Sequence, residues 1–205
     1  MSTDWIKKWQ EGDIRFHQHK FHPQLEAFGE RFSEGTVLVP LCGKTLDMLY
    51  LASRGHEVVG VELSSLACRS FFEEHGIPFT VKSIEGFEVY GSEQITIWCG
   101  DFFKLPQNVW DKVSGVYDRA SLIALESELR QKYAAEIFNR STKPIEILLI
   151  SIEYAEGSLA GPPFSVPESE ITNLYKKFKL QKLHSSKDAV REFEVIESTY
   201  WLLKN

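Results

Sequence analysis

The order of apolar segments along the chain constrains the fold more than any other feature of the sequence. Four mostly apolar segments, at residues 36–41, 58–63, 113–118 and 145–152, are separated by stretches with helical spacing. Continuous apolar segments of this length are typical of strands that are buried on both faces. Their alternation with helices predicts an α/β fold, with a Rossmann-like, doubly wound and mostly parallel sheet.

The two ends of the chain depart from this alternation. Helices are predicted at residues 3–11 and 22–32, before the first strand. Residues 178–184 and 191–203 have the pattern of strands with no helix between them, which predicts a C-terminal hairpin that contributes an antiparallel strand. Because 205 residues suit one hydrophobic core, we expect a single domain, residues 1–205.

Charge and cysteine usage exclude several classes of partner. The net charge is −6 and there is no long basic run, so we expect no nucleic-acid partner. No apolar stretch is long enough to span a membrane, and the first residues do not form a signal peptide. Three cysteines without C-x-x-C spacing are typical of reduced thiols in the cytoplasm, where we expect the protein to reside.

A histidine-rich stretch near the N-terminus raises the question of a metal site. His17, His19 and His22 could approach one another on a turn. No carboxylate or cysteine is placed nearby to complete a coordination sphere. We therefore expect no bound metal.

The loop after the first predicted strand indicates the ligand. Gly43, Lys44 and Thr45 resemble the tail of a phosphate-binding loop, but Leu38 stands where that loop needs another glycine. The three glycines of a dinucleotide fingerprint are missing too. Glu62, however, lies 19 residues after Gly43 at the end of the second strand, where an acid binds ribose hydroxyls in such folds.

One close-approach glycine plus a ribose acid fits a nucleoside without phosphates, and S-adenosylmethionine is the common cofactor of this kind. The alternative is that Gly43 only turns the chain and Glu62 is a solvated strand end. Three short strands are predicted at residues 79–81, 87–90 and 94–98, and Asp101 and Phe102 follow the last of them. Asp101 could accept a hydrogen bond from the adenine amino group, and Phe102 could pack on the adenine ring.

Two further features allow both a structural and a functional interpretation. Trp5 and Trp9 lie four apart and share a helix face, which either packs on the sheet or covers the sulfonium of the cofactor. Arg119 follows the strand predicted at residues 113–118 and either pairs with Asp118 at the surface or supplies a cation beside cofactor and acceptor.

The stiff segment GPPFSVP at residues 161–167 is either a crossover or a wall of the acceptor pocket, on which Phe164 would stack against an aromatic substrate. Cys42, next to Gly43, is interpreted as a small buried residue rather than a nucleophile.

Several ordered motifs carry a resemblance to a known family. They are WIKKWQEGDIRFHQ at residues 5–18, PLCGKTLDM at 40–48, GHEVVGVELS at 55–64, GDFF at 100–103, YDRASLIAL at 117–125 and GPPFSVP at 161–167. In this order, over nearly the whole chain, the sequence resembles the thiopurine S-methyltransferase family, especially its bacterial members. Segment 155–160 lies in a region that varies among members.

The resemblance implies a class I S-adenosylmethionine-dependent methyltransferase with a seven-stranded sheet and an N-terminal helical lid, residues 1–33. By motif matching, the cofactor contacts are Trp9, Leu41, Glu62 and Arg119, with Gly43 in the same loop and Asp101 and Phe102 in the adenine-binding segment. Trp5 and Phe16 would close the site, Phe16 on the acceptor side together with Phe164.

The expected reaction is methyl transfer to a thiopurine-like aromatic thiol, or to a selenium or tellurium nucleophile, as a detoxification. S-adenosylhomocysteine would be the product, Arg119 the catalytic group, and the enzyme a monomer that takes a small-molecule acceptor. One alternative is a protein that binds the cofactor as a sensor without transfer. The other, a dinucleotide oxidoreductase, is disfavoured by the missing glycines.

Overall fold

A computed structural model describes residues 4–14, 17–190 and 192–204. Phe16 lies outside these residues. The helices are α1 (Trp5–Glu11), α2 (Pro23–Phe28), α3 (Asp47–Ser53), α4 (Ser65–Glu74), α5 (Gln107–Trp110), α6 (Ser127–Arg140) and α7 (Glu168–Leu174). The strands are β1 (Thr36–Val39), β2 (Glu57–Glu62), β3 (Thr80–Ile84), β4 (Phe87–Gly91), β5 (Ile95–Cys99), β6 (Val113–Arg119), β7 (Ile145–Glu153), β8 (Lys179–Val190) and β9 (Phe193–Lys204).

The described strands form one sheet in the order β3-β4-β5-β2-β1-β6-β7-β9-β8. Five neighbours, from β5 to β7, run parallel, and the strands at both sides pair antiparallel. The mixed sheet with a parallel centre and an antiparallel C-terminal hairpin was expected. The predicted number of seven strands is wrong, because β3 and β4 extend one side of the sheet as a meander onto β5 and β8 pairs along β9 on the other.

Helices cover both faces of the sheet, as a doubly wound fold requires. On one face, α3 and α4 pack Met48, Leu51 and Phe71 against strand residues such as Val37. On the other, the core around Leu38 and Val116 is covered by residues of α5, α6 and α7. Adjacent residues of one strand therefore enter different cores, which explains why the central strands are continuously apolar.

The connections place a crevice at the carboxyl ends of the parallel strands. From β1 the chain crosses to β2 on one side, and β6 later pairs with β1 on the other side. In open α/β sheets, ligands bind outside the strand ends at such a reversal of direction. The loops that follow β1, β2 and β6 all meet there.

Within the described ranges, no helix combines the length and apolar character needed to cross a bilayer. Within the same ranges, no group of three or more His, Cys, Asp or Glu side chains is arranged to hold a metal ion.

Candidate active site

A cavity of about 360 Å³ opens at this edge of the sheet. Its lining comes from α1, from the loops that follow β1, β2, β6 and β7, and from the β8–β9 hairpin. The predicted site residues that share it are Trp5, Trp9, Leu41, Gly43, Glu62 and Arg119, together with Pro162 and Pro163 of the proline-rich segment. The loop after β1 therefore meets the end of β2, as predicted.

The Glu62 carboxylate joins the ends of β1 and β2. Its Oε2 accepts a hydrogen bond from the Gly43 amide at 2.9 Å, and its Oε1 accepts one from the Ser64 amide at 2.8 Å. The side chain is buried, and burial raises the pKa of this carboxyl, while the bonds from Ser64 and Gly43 act in the opposite direction. Glu62 is therefore a fixed, buried acid and not a solvated strand end.

The fixed carboxylate retains the capacity to bind a ligand. A carboxylate offers about four lone-pair sites, and the two backbone amides use two of them. Glu62 lines the cavity, so its remaining lone-pair sites can accept hydrogen bonds from a ligand there. The geometry thus fits a diol such as the ribose of a nucleoside, which is the fit that S-adenosylmethionine requires.

The loop between β1 and α3 takes an unusual backbone course. Leu41 and Gly43 both have positive φ, at 47° and 53°. A Cβ on Gly43 would lie 3.0 Å from Cζ2 of Trp9. The glycine therefore lets the Trp9 ring approach the loop, a role that sequence reasoning had assigned to the ligand alone. Burial raises the pKa of the Cys42 thiol well above its usual value, which favours the interpretation as a buried neutral residue.

Helix α1 contributes Trp5, Lys8 and Trp9 to the lining of the cavity. Trp9 is the buried residue of this helix, whereas Ile6 is 46% exposed. Asp4 caps the start of the helix by accepting the Lys7 amide at 3.0 Å, and Gly12 ends it with φ 72°. A seven-residue terminal helix with one buried residue can undock while the rest of the fold stays intact.

We expect Trp9→Ala to weaken binding of S-adenosylhomocysteine by about tenfold or more, because a buried aromatic wall of the site is lost. The melting temperature of the free protein should fall by about 4 °C or less, because only α1 depends on this contact. Calorimetric titration and thermal unfolding measure the two effects. Ile6→Ala on the same helix is the control and should change neither. A large fall in melting temperature with unchanged affinity would show that Trp9 serves the core.

Arg119 and Asp118 lie on opposite faces of β6. Arg119 lines the cavity, while Asp118 is fully buried and accepts hydrogen bonds from the Tyr133 hydroxyl at 2.7 Å and the Leu122 amide at 3.1 Å. Burial raises the pKa of Asp118 to about 6. The alternative interpretation of Arg119 as part of a surface ion pair with Asp118 is therefore wrong, because Asp118 is not at the surface.

Asp101 and Phe102 lie after β5 but outside the described lining of the cavity. Asp101 caps a short turn by accepting the Phe103 amide at 3.0 Å. Phe102 is buried, with ring centroids 5.1 Å from Tyr133 and 5.7 Å from Trp110. Their contact with adenine stays a prediction.

The segment at residues 161–167 lines the cavity through Pro162 and Pro163. The Phe164 amide donates to the Ile123 carbonyl at 2.7 Å, and the Tyr154 hydroxyl donates to the Pro163 carbonyl at 2.8 Å. These bonds fix the segment to the loop that follows β6 and to the end of β7. The described lining does not include Phe164, so stacking of its ring on an acceptor stays a prediction.

Sequence reasoning missed a second group of lining residues. They come from the start of α2 and from β6, β7 and β9, and comprise His22, Tyr117, Ile150, Ile152 and Glu197. Glu62 on β2 and Glu197 on β9 are four strand spacings apart in the sheet order, which is roughly 19 Å. Arg119 on β6 lies between them. We call the part at β1 and β2, where the cofactor is predicted to bind, the cofactor half, and the part at β7 and β9, where the acceptor is predicted to bind, the acceptor half.

Solved structures share this fold. TehB from Haemophilus influenzae superposes with a TM-score of 0.68 at 12% identity, over 98% of this chain and 67% of that one. The 1,6-didemethyltoxoflavin-N1-methyltransferase of Burkholderia thailandensis, solved with S-adenosylhomocysteine, gives 0.64 at 14% identity, over 98% and 86%. At these identities the likeness shows a shared fold, and one of the two proteins was solved with S-adenosylhomocysteine.

Sequence comparison gives both the enzyme class and the family. The thiopurine S-methyltransferase family model matches residues 1–200. The thiopurine S-methyltransferase of Pseudomonas entomophila (strain L48) is 38% identical over 203 residues, which cover 98% of this chain and 91% of the relative. That of Bordetella petrii is 41% identical over 174 residues, covering 83% and 80%. The chain belongs to the thiopurine S-methyltransferase family, and its cofactor is S-adenosylmethionine, which confirms the predicted enzyme class.

Proposed function

We propose that this enzyme methylates the sulfur of a small, thiopurine-like aromatic thiol, or a selenium or tellurium nucleophile, as a detoxification. It would act as a cytoplasmic monomer on free small molecules. The observation that carries the proposal is the place of Arg119, between the buried acid of the cofactor half and the apolar walls of the acceptor half. Ile150, Ile152 and Pro163 supply those walls.

Each part of the cavity has a task in such a transfer. When bound, S-adenosylmethionine supplies a methyl group that is already activated by its sulfonium. Glu62 would hold the ribose hydroxyls, and Trp9 would cover the same half. Arg119 would stabilise the ionised acceptor, since a nearby opposite charge lowers the pKa of an acid. The protein needs no nucleophile of its own, and Cys42 is buried as a neutral thiol.

Positioning is the main contribution of the protein to this reaction. Holding two reactants in line can contribute about 7–11 kcal/mol in favourable cases. The apolar side chains of β7 exclude water around the acceptor, which strengthens the interaction of a thiolate with Arg119. Large polarisable atoms such as sulfur and selenium react readily at carbon once ionised, so apolar walls and one cation would suffice for them.

Transfer of labelled methyl from S-adenosylmethionine to benzenethiols, 6-mercaptopurine, selenite and tellurite tests the proposal. We expect turnover of at least one aromatic thiol and micromolar affinity for S-adenosylhomocysteine. Tight binding without turnover of any acceptor would instead identify a cofactor sensor. Absence of binding would contradict both functions.

A further inference from the structure

The acceptor half contains a carboxylate that the proposed transfer does not use. Glu197 on β9 pairs directly with Ile152 on β7, so both side chains point to the same face of the sheet and both line the cavity. Arg119 pairs with Ile150, two residues earlier on β7. Glu197 therefore lies beyond Arg119 both across the sheet and along the strands, at the end of the acceptor half away from the cofactor.

The Glu197 side chain is held in place and remains accessible. It is 15% exposed, and its Oε2 lies 3.4 Å from Nε2 of His22. Nδ1 of His22 accepts the Gln24 amide at 3.3 Å, so in the neutral imidazole the ring proton is on Nε2, directed at Glu197. Among the described residues, this contact uses one lone pair of a group that has about four. The remaining sites can accept from a ligand in the cavity.

The Asp47 carboxylate fixes the position of His22 in turn. The His22 amide donates to Oδ1 of Asp47 at 2.9 Å, and the Tyr117 hydroxyl donates to Oδ2 of the same carboxylate at 2.9 Å. Burial, and then the charge of Asp47, raise the pKa of Tyr117 well above its usual value, so this hydroxyl remains a donor. A fully bonded chain of this kind gives Glu197 a fixed orientation.

Charge is distributed unevenly along the acceptor half. Arg119 is positive near the point of transfer, whereas Glu197 and the exposed Asp188 are negative at the far end. An acceptor that is anionic at its reacting atom and carries a donor or a positive group at its other end complements this pattern. An acceptor with an anion at that other end faces a like charge.

We infer that Glu197 selects methyl acceptors by the group they carry opposite the reacting atom, favouring a hydrogen-bond donor or cation and disfavouring an anion. This inference rests on the proposed thiol methylation. It assigns His22 the role of a positioning residue, which acts through the carboxylate.

Three para-substituted benzenethiols of similar size test the inference: 4-aminobenzenethiol, 4-methylbenzenethiol and 4-mercaptobenzoate. The quantity measured is kcat/KM for each thiol. The ratio of kcat/KM values between two thiols is then compared between the wild type and a variant. Intrinsic differences in thiol reactivity cancel in this comparison, because they are the same for both enzymes. In the wild type we expect 4-mercaptobenzoate to be at least about tenfold poorer than 4-methylbenzenethiol. Glu197→Gln should reduce this difference by about tenfold and also lower the preference for the amino compound.

Glu153→Gln is the matched control. Glu153 is exposed on β7 and follows Ile152, so it points to the other face of the sheet. The variant makes the same change in charge one strand away, and its acceptor ratios should equal those of the wild type. Equal ratios in Glu197→Gln and the wild type, with all three thiols turned over, would overturn the inference.

The failure of this inference and the failure of the proposed function are distinguishable. If the wild type turns over none of the three thiols, the inference fails, whereas the proposed function fails only if 6-mercaptopurine, selenite and tellurite are not methylated either. If Glu197→Gln does not bind S-adenosylhomocysteine, Glu197→Ala replaces it and should give the same change in ratio. If neither variant binds the product, the test is the ratio of the wild-type kcat/KM values for 4-mercaptobenzoate and 4-methylbenzenethiol. Values within about threefold of each other would contradict a selecting carboxylate.

Discussion

Replacement of Glu62 by glutamine is expected to weaken S-adenosylhomocysteine binding by about 100-fold or more. Hydrogen bonds to a charged group contribute about 1.5–3 kcal/mol each, and a ribose offers two hydroxyls. The amide also fits its surroundings poorly. Both oxygens of Glu62 accept backbone N–H groups, from Gly43 and Ser64, and an NH2 group in either place meets a donor with another donor.

The measurement is calorimetric titration, together with thermal unfolding to show that the variant folds. Glu57→Gln is the control, because Glu57 begins the same strand at its exposed end and interacts with Thr36 instead of the cavity. It should bind the product like the wild type. A folded Glu62→Gln variant that loses less than about tenfold in affinity would show that the acid does not bind the ribose.

Replacement of Arg119 by methionine is expected to lower kcat/KM for an aromatic thiol by about 10- to 1000-fold near neutral pH. A cation within a few ångströms lowers the pKa of an acid by about 1–3 units, and each unit is a factor of ten in the ionised fraction when the thiol is mostly protonated. Methionine retains much of the length of the side chain and removes the charge. Arg119→Lys should retain part of the activity, because the charge remains without the planar geometry.

The pH profile separates the two possible roles of Arg119. If the arginine stabilises the ionised acceptor, the pH profile of kcat/KM for Arg119→Met should move to higher pH. The loss in kcat/KM relative to the wild type should then shrink at pH values where the thiol is ionised in both enzymes. A loss of equal size at every pH, with weaker product binding, would place Arg119 at the cofactor alone. Arg54→Met, at a surface pair with Glu30, is the control and should keep the wild-type profile.

The sequence predicted the parallel centre of the fold and the meeting of the Gly43 loop with the end of β2 because both depend on local signals. Strands buried on both faces are densely apolar, and the spacing between Gly43 and Glu62 is that of one βαβ unit. The outer strands were harder. Strand β8 continues to Val190, beyond the predicted end at residue 184. Residues 184–188 are polar and mostly exposed, so no apolar pattern indicates a strand there.

The acceptor half could not be predicted from local patterns. Glu197 looks like any outward residue of an alternating strand, and its partner His22 is far away in the chain. Only the pairing of β9 with β7 brings Glu197 into the cavity. Gly43 shows a second kind of feature that local patterns do not predict. The sequence predicted that another group approaches this glycine closely, but it did not predict that this group includes the Trp9 ring.

The division of the cavity between two stretches of chain has an evolutionary consequence. The cofactor half comes largely from residues 5–63, whereas most of the acceptor half comes from residues 150–197. Substitutions in β7, in the proline-rich segment or in the β8–β9 hairpin can therefore change which molecule is methylated without altering the residues that hold the methyl donor. Members of such a lineage can diversify their acceptors while they keep one donor, and a chimaera that exchanges residues 145–204 would transfer acceptor preference as a unit.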